Sequence, residues 1–175
     1  MNRRTAVRNI IIISAGASLL PACNSSNEET AIHLKHLPLT RSQENMLAEL
    51  SETIIPKTNN FVGAEDLNSD KFILVMVDDC ASPEDQQMFT TCMKAFEDRC
   101  KQKFNTTFVK AAPQQRSELL KELEGGDEER DNAVKFYKAI KRFTIQNFTS
   151  SKDYLTEIVK WKMIPGSNFK GCVPI

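Results

Sequence analysis

Residues 82–104 read SPEDQQMFTTCMKAFEDRCKQKF and have the features of a long helix that lies in a protein core. Ser82 is a favourable N-cap, Pro83 suits the first helical position, and two acidic residues follow in the first turn. Apolar side chains then recur every three or four residues, at Phe89, Cys92, Met93, Phe96, Cys100 and Phe104. We predict that this stripe forms the central core helix of the domain.

A second helix is predicted before it. Thr40 followed by Gln43 has the spacing of a capping box, and the helix must end before Pro56. Its apolar face consists of Met46, Leu47, Leu50 and Ile54. The short apolar run at 72–77 could be a strand by length alone, but it is preceded by capping residues and no second β-rich run is available to pair with it. We therefore predict a buried helix there.

Three more helices are predicted towards the C-terminus, over 113–123, over 127–148 and from Ser151 onwards. The first stops at Gly125-Gly126. The buried residues predicted for the other two are Val134, Tyr137, Ile140, Thr144 and Phe148, and then Tyr154, Leu155, Ile158 and Val159. Residues 163–175 contain two prolines and two glycines and should form an irregular strap. The predicted fold is a single all-α domain of about five to six helices with this C-terminal strap.

The first 23 residues have the pattern of an export signal that ends at a lipid-modified cysteine. Their apolar run, residues 10–20, is far shorter than the roughly 20 residues that span a bilayer as a helix. Leu20-Pro21-Ala22-Cys23 matches what the bacterial lipoprotein peptidase accepts, so cleavage would leave Cys23 as an acylated N-terminus. A diacylglyceryl cysteine carries two acyl chains and would give a lasting membrane tether.

The arginines of this segment suggest how the protein crosses the membrane. Arg3 and Arg4 favour the twin-arginine route, which proteins normally use when they are exported already folded. Ala6 stands where Phe or Leu is usual, and an ordinary Sec signal is the alternative. We expect residues 1–22 to be the signal peptide, 23–38 a flexible spacer with His33 and His36 solvated, and 39–175 the folded domain.

The composition excludes several classes of function. Without residues 1–22 the chain has 20 basic and 23 acidic side chains, so nothing suggests binding to nucleic acid. The sequence has no Gly-rich phosphate loop, no Cys-x-x-Cys-His haem motif and no His-Glu-x-x-His motif. Asp78-Asp79 is interpreted as a polar patch at the C-terminal end of a helix. We expect no catalytic, cofactor-binding or metal-binding residues in this chain.

Four cysteines remain once Cys23 is lipidated. Cys92 and Cys100 are eight residues apart on one predicted helix, about 12 Å along its axis, which exceeds the disulfide limit of about 7 Å between Cα atoms. They are interpreted as core residues. Cys80 lies between two helices and Cys172 in the strap, so the two form a candidate disulfide, with two reduced thiols as an equal alternative.

Three groups of residues occur in order along the chain: Glu52-Thr53-Ile54-Ile55-Pro56 with Gly63-Ala64; Asp78-Asp79-Cys80 with Asp85-Gln86-Gln87 and Phe89; and Pro165-Gly166 with Gly171-Cys172-Val173-Pro174. Together they resemble the small subunit, subunit 3, of gluconate 2-dehydrogenase, over about residues 38–175. The resemblance implies a mainly helical, non-catalytic subunit. Such a subunit accompanies an FAD-dependent dehydrogenase acting on a sugar or sugar acid, with electrons leaving through a haem c protein, a cytochrome c subunit.

In that family the small subunit carries the twin-arginine signal and exports the flavoprotein with it. The export signal and Cys23, read from the sequence itself, add the expectation that the protein lies in the bacterial cell envelope, lipid-anchored through Cys23 and facing the periplasm or exported. Trp161, Phe169 and Val173 are candidate partner contacts, because an apolar strap with little to bury it invites a partner. They could equally cover the domain's own core. The alternative function is a stand-alone envelope lipoprotein that acts as a scaffold or binds a small ligand.

Overall fold

The computed structural model describes residues 32–161, which form five α-helices, a 3₁₀ turn and a π-helical turn. The helices are α1 Arg41–Ile54, α2 Ser69–Cys80, α3 Pro83–Phe104, α4 Pro113–Glu124 and α5 Asn132–Ser150. The 3₁₀ turn Phe108–Lys110 joins α3 to α4, and the π turn Tyr154–Ile158 follows α5. No β-strand occurs within residues 32–161, and the prediction of an all-α domain is confirmed.

Helix α5 packs against each of the other four helices, most extensively against α3. The ring of Phe136 on α5 lies 5.5 Å from that of Phe89 and 5.4 Å from that of Phe96, measured between centroids. Phe96 in turn contacts Phe108 of the 3₁₀ turn at 5.1 Å. These tilted ring pairs bury large apolar areas, each worth a few kcal/mol relative to exposure. The core is therefore centred on the α3–α5 pair.

The starts of α1 and α3 agree with the sequence. Thr40 and Gln43 form the predicted capping box, in which the Gln43 Oε1 accepts from the Thr40 backbone N–H at 2.9 Å. Ser82 caps α3 by accepting from the Asp85 N–H at 3.2 Å. Helix α3 is capped at its C-terminal end by Asn105, whose φ of 53° is a left-handed conformation that Asn tolerates better than most residues. The 72–77 run is helical, as predicted, and lies inside α2.

The last two predicted helices differ from the structure. Helix α5 begins at Asn132 instead of 127, because the Asp131 carboxylate caps it by accepting from the Ala133 N–H at 2.9 Å. The predicted helix from Ser151 is replaced by a π turn, and none of the turn's five residues is buried. Ile158 and Val159, predicted to be buried, are 52% and 51% exposed. A π turn is wider than an α turn, so residues at the predicted spacing no longer share one face.

The folded part of the chain also starts earlier than expected. Residues 32–38 belong to the predicted spacer, yet they lie against the helices. Leu37 is 5% exposed and belongs to the core, and Ile32 and Leu34 pack against it. The remainder of the spacer, residues 23–31, lies outside the described residues.

Candidate partner-binding surface

The described residues hold no arrangement typical of a metal site. Within 32–161, no group of three or more His, Cys, Asp or Glu side chains could hold a metal ion. His33 and His36 are both exposed. Cys92 and Cys100 are buried core residues, as predicted, and burial raises the pKa of both thiols, which keeps them protonated at neutral pH.

A polar cleft of about 430 Å³ lies between the end of α1, helix α4 and α5. Its central carboxylate, Glu124, accepts hydrogen bonds from the Tyr137 hydroxyl at 2.7 Å and from the Lys141 Nζ at 2.6 Å. Burial, together with this hydrogen bond, raises the pKa of Tyr137 well above its ordinary value, so the phenol stays protonated. The carboxylate is thus engaged by its own neighbours, and its role is to join α4 to α5.

The Glu-Thr-Ile-Ile-Pro motif holds a loop in place. The Glu52 carboxylate accepts from the backbone N–H of Lys57 at 2.6 Å and from that of Glu65 at 2.9 Å, which fixes both ends of the loop after α1. Gly63 lies inside this loop, and a Cβ on it would come 2.5 Å from the Lys57 backbone nitrogen. Only glycine therefore fits there, and the motif is explained by backbone geometry.

The Asp-Asp-Cys motif holds the N-terminal segment. Asp78, only 4% exposed, accepts three backbone N–H bonds at 2.8 Å each, from Lys35, His36 and Leu37. Burial alone would raise the pKa of Asp78, but the three N–H donors outweigh it and the pKa lies below its ordinary value. Asp79 is exposed and pairs with Lys35 at 3.2 Å. The two carboxylates thus lie in a polar patch at the C-terminal end of α2, as predicted, but Asp78 is buried and binds backbone groups within it.

Gln86 completes this junction between α2 and α3. Its Nε2 donates to the carbonyl oxygen of Asp78 at 2.9 Å, with longer contacts to those of Val77 and Ala81. Val77 and Asp78 belong to the last turn of α2, where carbonyl groups lack partners within the helix, and Ala81 follows it. We call Asp78, Gln86 and the backbone of residues 35–37 the polar corner.

The opposite end of α2 lies beside the end of α5, where apolar side chains reach the surface. Asn147 on α5 donates to the Leu67 carbonyl at 3.2 Å and to the Ser69 hydroxyl at 2.9 Å, which joins the two helix ends. Four large apolar residues on or after the last turns of α5 are exposed: Ile145, Ile158, Val159 and Trp161, at 41%, 52%, 51% and 52%. We call these four residues the apolar end.

An aromatic cluster joins α5 to the π turn that carries Ile158. The ring centroid of Phe148 lies 5.6 Å from that of Phe61 and 5.4 Å from that of Tyr154. After the π turn the backbone turns back towards it, and the Trp161 N–H donates to the Leu155 carbonyl at 2.8 Å. Lys160 between them has a φ of 56°, a left-handed conformation that is unusual for a residue other than Gly or Asn. The backbone that presents Trp161 is therefore held in a defined conformation.

The structure covers some of the residues singled out from the sequence. Trp161 is exposed, as a partner contact requires, and Cys80 is exposed at the end of α2. The other residues of interest lie outside the described range: Arg3, Arg4, Cys23, Phe169, Cys172 and Val173. The Cys80–Cys172 disulfide therefore stays a prediction. Sequence reasoning missed Ile145 as an exposed residue because its spacing fits the buried face of a helix nearly as well.

Among residues 32–161, no helix combines the length and hydropathy needed to cross a membrane. The family model for gluconate 2-dehydrogenase subunit 3 matches residues 41–166 of the chain. This range includes all five helices and the apolar end. No curated protein and no solved structure is significantly similar to the chain.

Proposed function

Because the chain belongs to the gluconate 2-dehydrogenase subunit 3 family, we propose that it is the non-catalytic accessory subunit of an exported dehydrogenase complex. Its partner would be an FAD-dependent large subunit that oxidises a sugar or sugar acid. A cytochrome c subunit with haem c would accept the electrons. This chain itself would hold no cofactor and would contribute binding surface and location.

We further propose that the chain brings its partner out of the cytoplasm and keeps it at the membrane. Arg3 and Arg4 would direct the folded complex to the twin-arginine route, and Cys23 would carry the lipid. A flavoprotein must fold around its cofactor before export, which is why a signal on a helper subunit is useful to it. The complex would then face the periplasm or the outside of the cell.

The observation that carries the proposal is the apolar end. Three of its four members are more than half exposed, although a folded monomer gains by burying side chains of this size. Trp161 is the most favourable anchor, since tryptophan is enriched among the residues that dominate binding energy at interfaces. The defined backbone around Lys160 reduces the entropy lost when a partner binds.

Purification of the complex from membranes tests this function with a matched pair of variants. Val159→Asp places a charge in the apolar end, and Val75→Asp places one on the exposed side of α2, where Val75 is 46% exposed. We expect the wild type and Val75→Asp to co-purify with equal amounts of a flavoprotein. With Val159→Asp, the amount of co-purified flavoprotein should fall at least tenfold. Equal recovery with both variants would remove the apolar end as the interface.

Export is tested separately with Arg3→Lys and Arg4→Lys combined. We expect the flavoprotein to accumulate in the cytoplasm, because the twin-arginine route requires the arginine pair. If the flavoprotein is exported normally in a strain that lacks this chain altogether, the protein is not an escort. A stand-alone envelope lipoprotein would give that result.

A further inference from the structure

A small apolar groove lies between α3 and α5, away from the apolar end. Its floor consists of Phe89, Cys92 and Phe136, which are at most 9% exposed, and Met88 forms its rim with 42% of its surface exposed. The groove has a volume of about 130 Å³. Binding sites for drug-sized ligands occupy about 300 Å³ or more. The groove is therefore suited to a single large side chain.

We propose that this groove is occupied by the chain's own C-terminal residues, with Phe169 in the groove and Cys172 beside Cys80. Fourteen residues follow Trp161, and their apolar members are Met163, Ile164, Phe169, Val173 and Ile175. Cys80 ends α2, and only two residues separate it from the start of α3, so it lies near the end of the groove that Asp85 lines. This docking would bury both Phe169 and the rim residue Met88.

The chain is long enough for this path. The contacts of Asn147 with Leu67 and Ser69 place the end of α5 beside the start of α2. Helix α2 has 12 residues, which corresponds to about 18 Å at 1.5 Å per residue. When extended, the eight residues from Trp161 to Phe169 can span about 26 Å, and the eleven from Trp161 to Cys172 about 36 Å. The segment can therefore pass along α2 and reach Cys80 with length to spare.

The charges of residues 162–175 and of the groove also favour this segment as the occupant. Residues 162–175 contain Lys162 and Lys170 and no acidic residue. The groove's end nearest to Cys80 carries Asp85, with Glu84 beside it in the first turn of α3. Lys135 lines the groove on the α5 side. A segment that enters from the Cys80 side would bring Lys170, next to Phe169, close to the acidic end.

Oxidation of Met88 tests the docking in the full chain, purified without a partner. Dilute hydrogen peroxide converts exposed methionine to its sulfoxide, and peptide mass spectrometry measures the rate at each methionine. We expect Met88 to react at least about threefold faster in Phe169→Ala than in the wild type. Ile164→Ala is the matched control, since it removes an apolar side chain before Pro165-Gly166 and should leave the rate unchanged. Met76, half-buried on α2, is the internal reference.

Thiol proximity gives a second measurement, whose main result is obtained on the wild type. Added diamide takes two electrons and two protons from a pair of neighbouring thiols, which leaves a disulfide and the reduced hydrazine. We expect the wild type to form an intramolecular Cys80–Cys172 link within minutes, and Phe169→Ala to form it more slowly. The linked peptide should be absent in Cys172→Ser, which identifies it in the mass spectrum.

Three results would overturn the docking. Met88 could react equally fast in the wild type and in Phe169→Ala. Its protection could depend on protein concentration and survive Phe169→Ala, which would assign the groove to a second copy of the chain. The diamide product could contain Cys172 only in links between molecules. Because none of these experiments involves a dehydrogenase, their failure would leave the proposed interface at the apolar end untouched.

Discussion

The two ends of α2 differ in how the side chains near the surface are satisfied. At the polar corner a buried carboxylate and an amide bind backbone groups of residues 35–37 and of the end of α2, so hydrogen bonds hold these segments together. At the apolar end the aromatic cluster is covered only in part, and Trp161 and Val159 remain exposed. The first arrangement stabilises the fold of the monomer. The second leaves apolar area that only another surface can bury.

This difference separates residues needed for folding from residues available for binding. The motifs by which the family is recognised, around Glu52 and around Asp78, act on the backbone of this chain. Substitutions at the polar corner should therefore change the free energy of unfolding, and substitutions at the apolar end should change partner binding. Four variants or conditions test this division.

The largest loss of stability is expected for Asp78→Ala. Three backbone N–H groups would lose a charged acceptor, at least one of them in a buried setting, which should cost about 3 kcal/mol. Urea denaturation measures the change. Asp79→Ala is the control, since Asp79 is exposed and its removal should stay within about 0.5 kcal/mol. Equal losses for the two variants would show that the hydrogen bonds of Asp78 do not stabilise the polar corner.

Phe148→Ala should come next, with a loss of about 2 kcal/mol. Phe148 is half-buried and contacts the rings of Phe61 and Tyr154, so its removal costs less than that of a fully buried phenylalanine. Hydrogen exchange should also become faster in residues 151–161, which the cluster supports. If the exchange there is unchanged, the apolar end does not depend on the aromatic cluster for its conformation.

The sequence predicted the parts of this molecule that local interactions determine. The caps of α1 and α3 are set within four residues, and the stripe Phe89 to Cys100 follows from one helix period. The role of Asp78 could not be predicted in this way, because its hydrogen-bond partners lie 41 to 43 residues earlier in the chain and are backbone groups of any residue type. A carboxylate that accepts from such partners leaves no local pattern.

The candidate site was predictable only in outline. Trp161 was identified as a contact because it is a large apolar residue in an irregular segment. Ile158 and Val159 were assigned to a buried face, since helical spacing was assumed for residues after Ser151. The π turn is accompanied by a ring contact between Phe148 and Tyr154 and by the left-handed Lys160 that follows it. Neither is visible in the spacing of apolar residues.

A smaller loss of stability is expected at acidic pH. The pKa of Asp78 is lowered in the folded state, below its ordinary value of 3.8, so its carboxylate stabilises the fold fully above that value. The contribution is lost as the pH falls through the folded-state pKa. The charged groups near it are His36, Lys35 and Asp79. Between pH 5 and pH 2 the wild type should therefore lose more stability than Asp78→Asn, as measured by urea denaturation at each pH. Parallel curves would assign the acid sensitivity to other carboxylates.

Trp161→Ala should have the smallest effect on folding, and for that reason it separates the two ends of α2 most sharply. Half of the Trp161 surface is already exposed in the monomer, so truncation removes little buried area and should change the free energy of unfolding by less than about 0.5 kcal/mol. The same truncation should weaken binding to the dehydrogenase at least tenfold if Trp161 is an anchor of the interface. Urea denaturation of the free subunit and titration with the purified flavoprotein measure the two quantities. A large loss of stability together with unchanged binding would reverse the roles that we assign to the apolar end, because Trp161 would then serve the chain's own core.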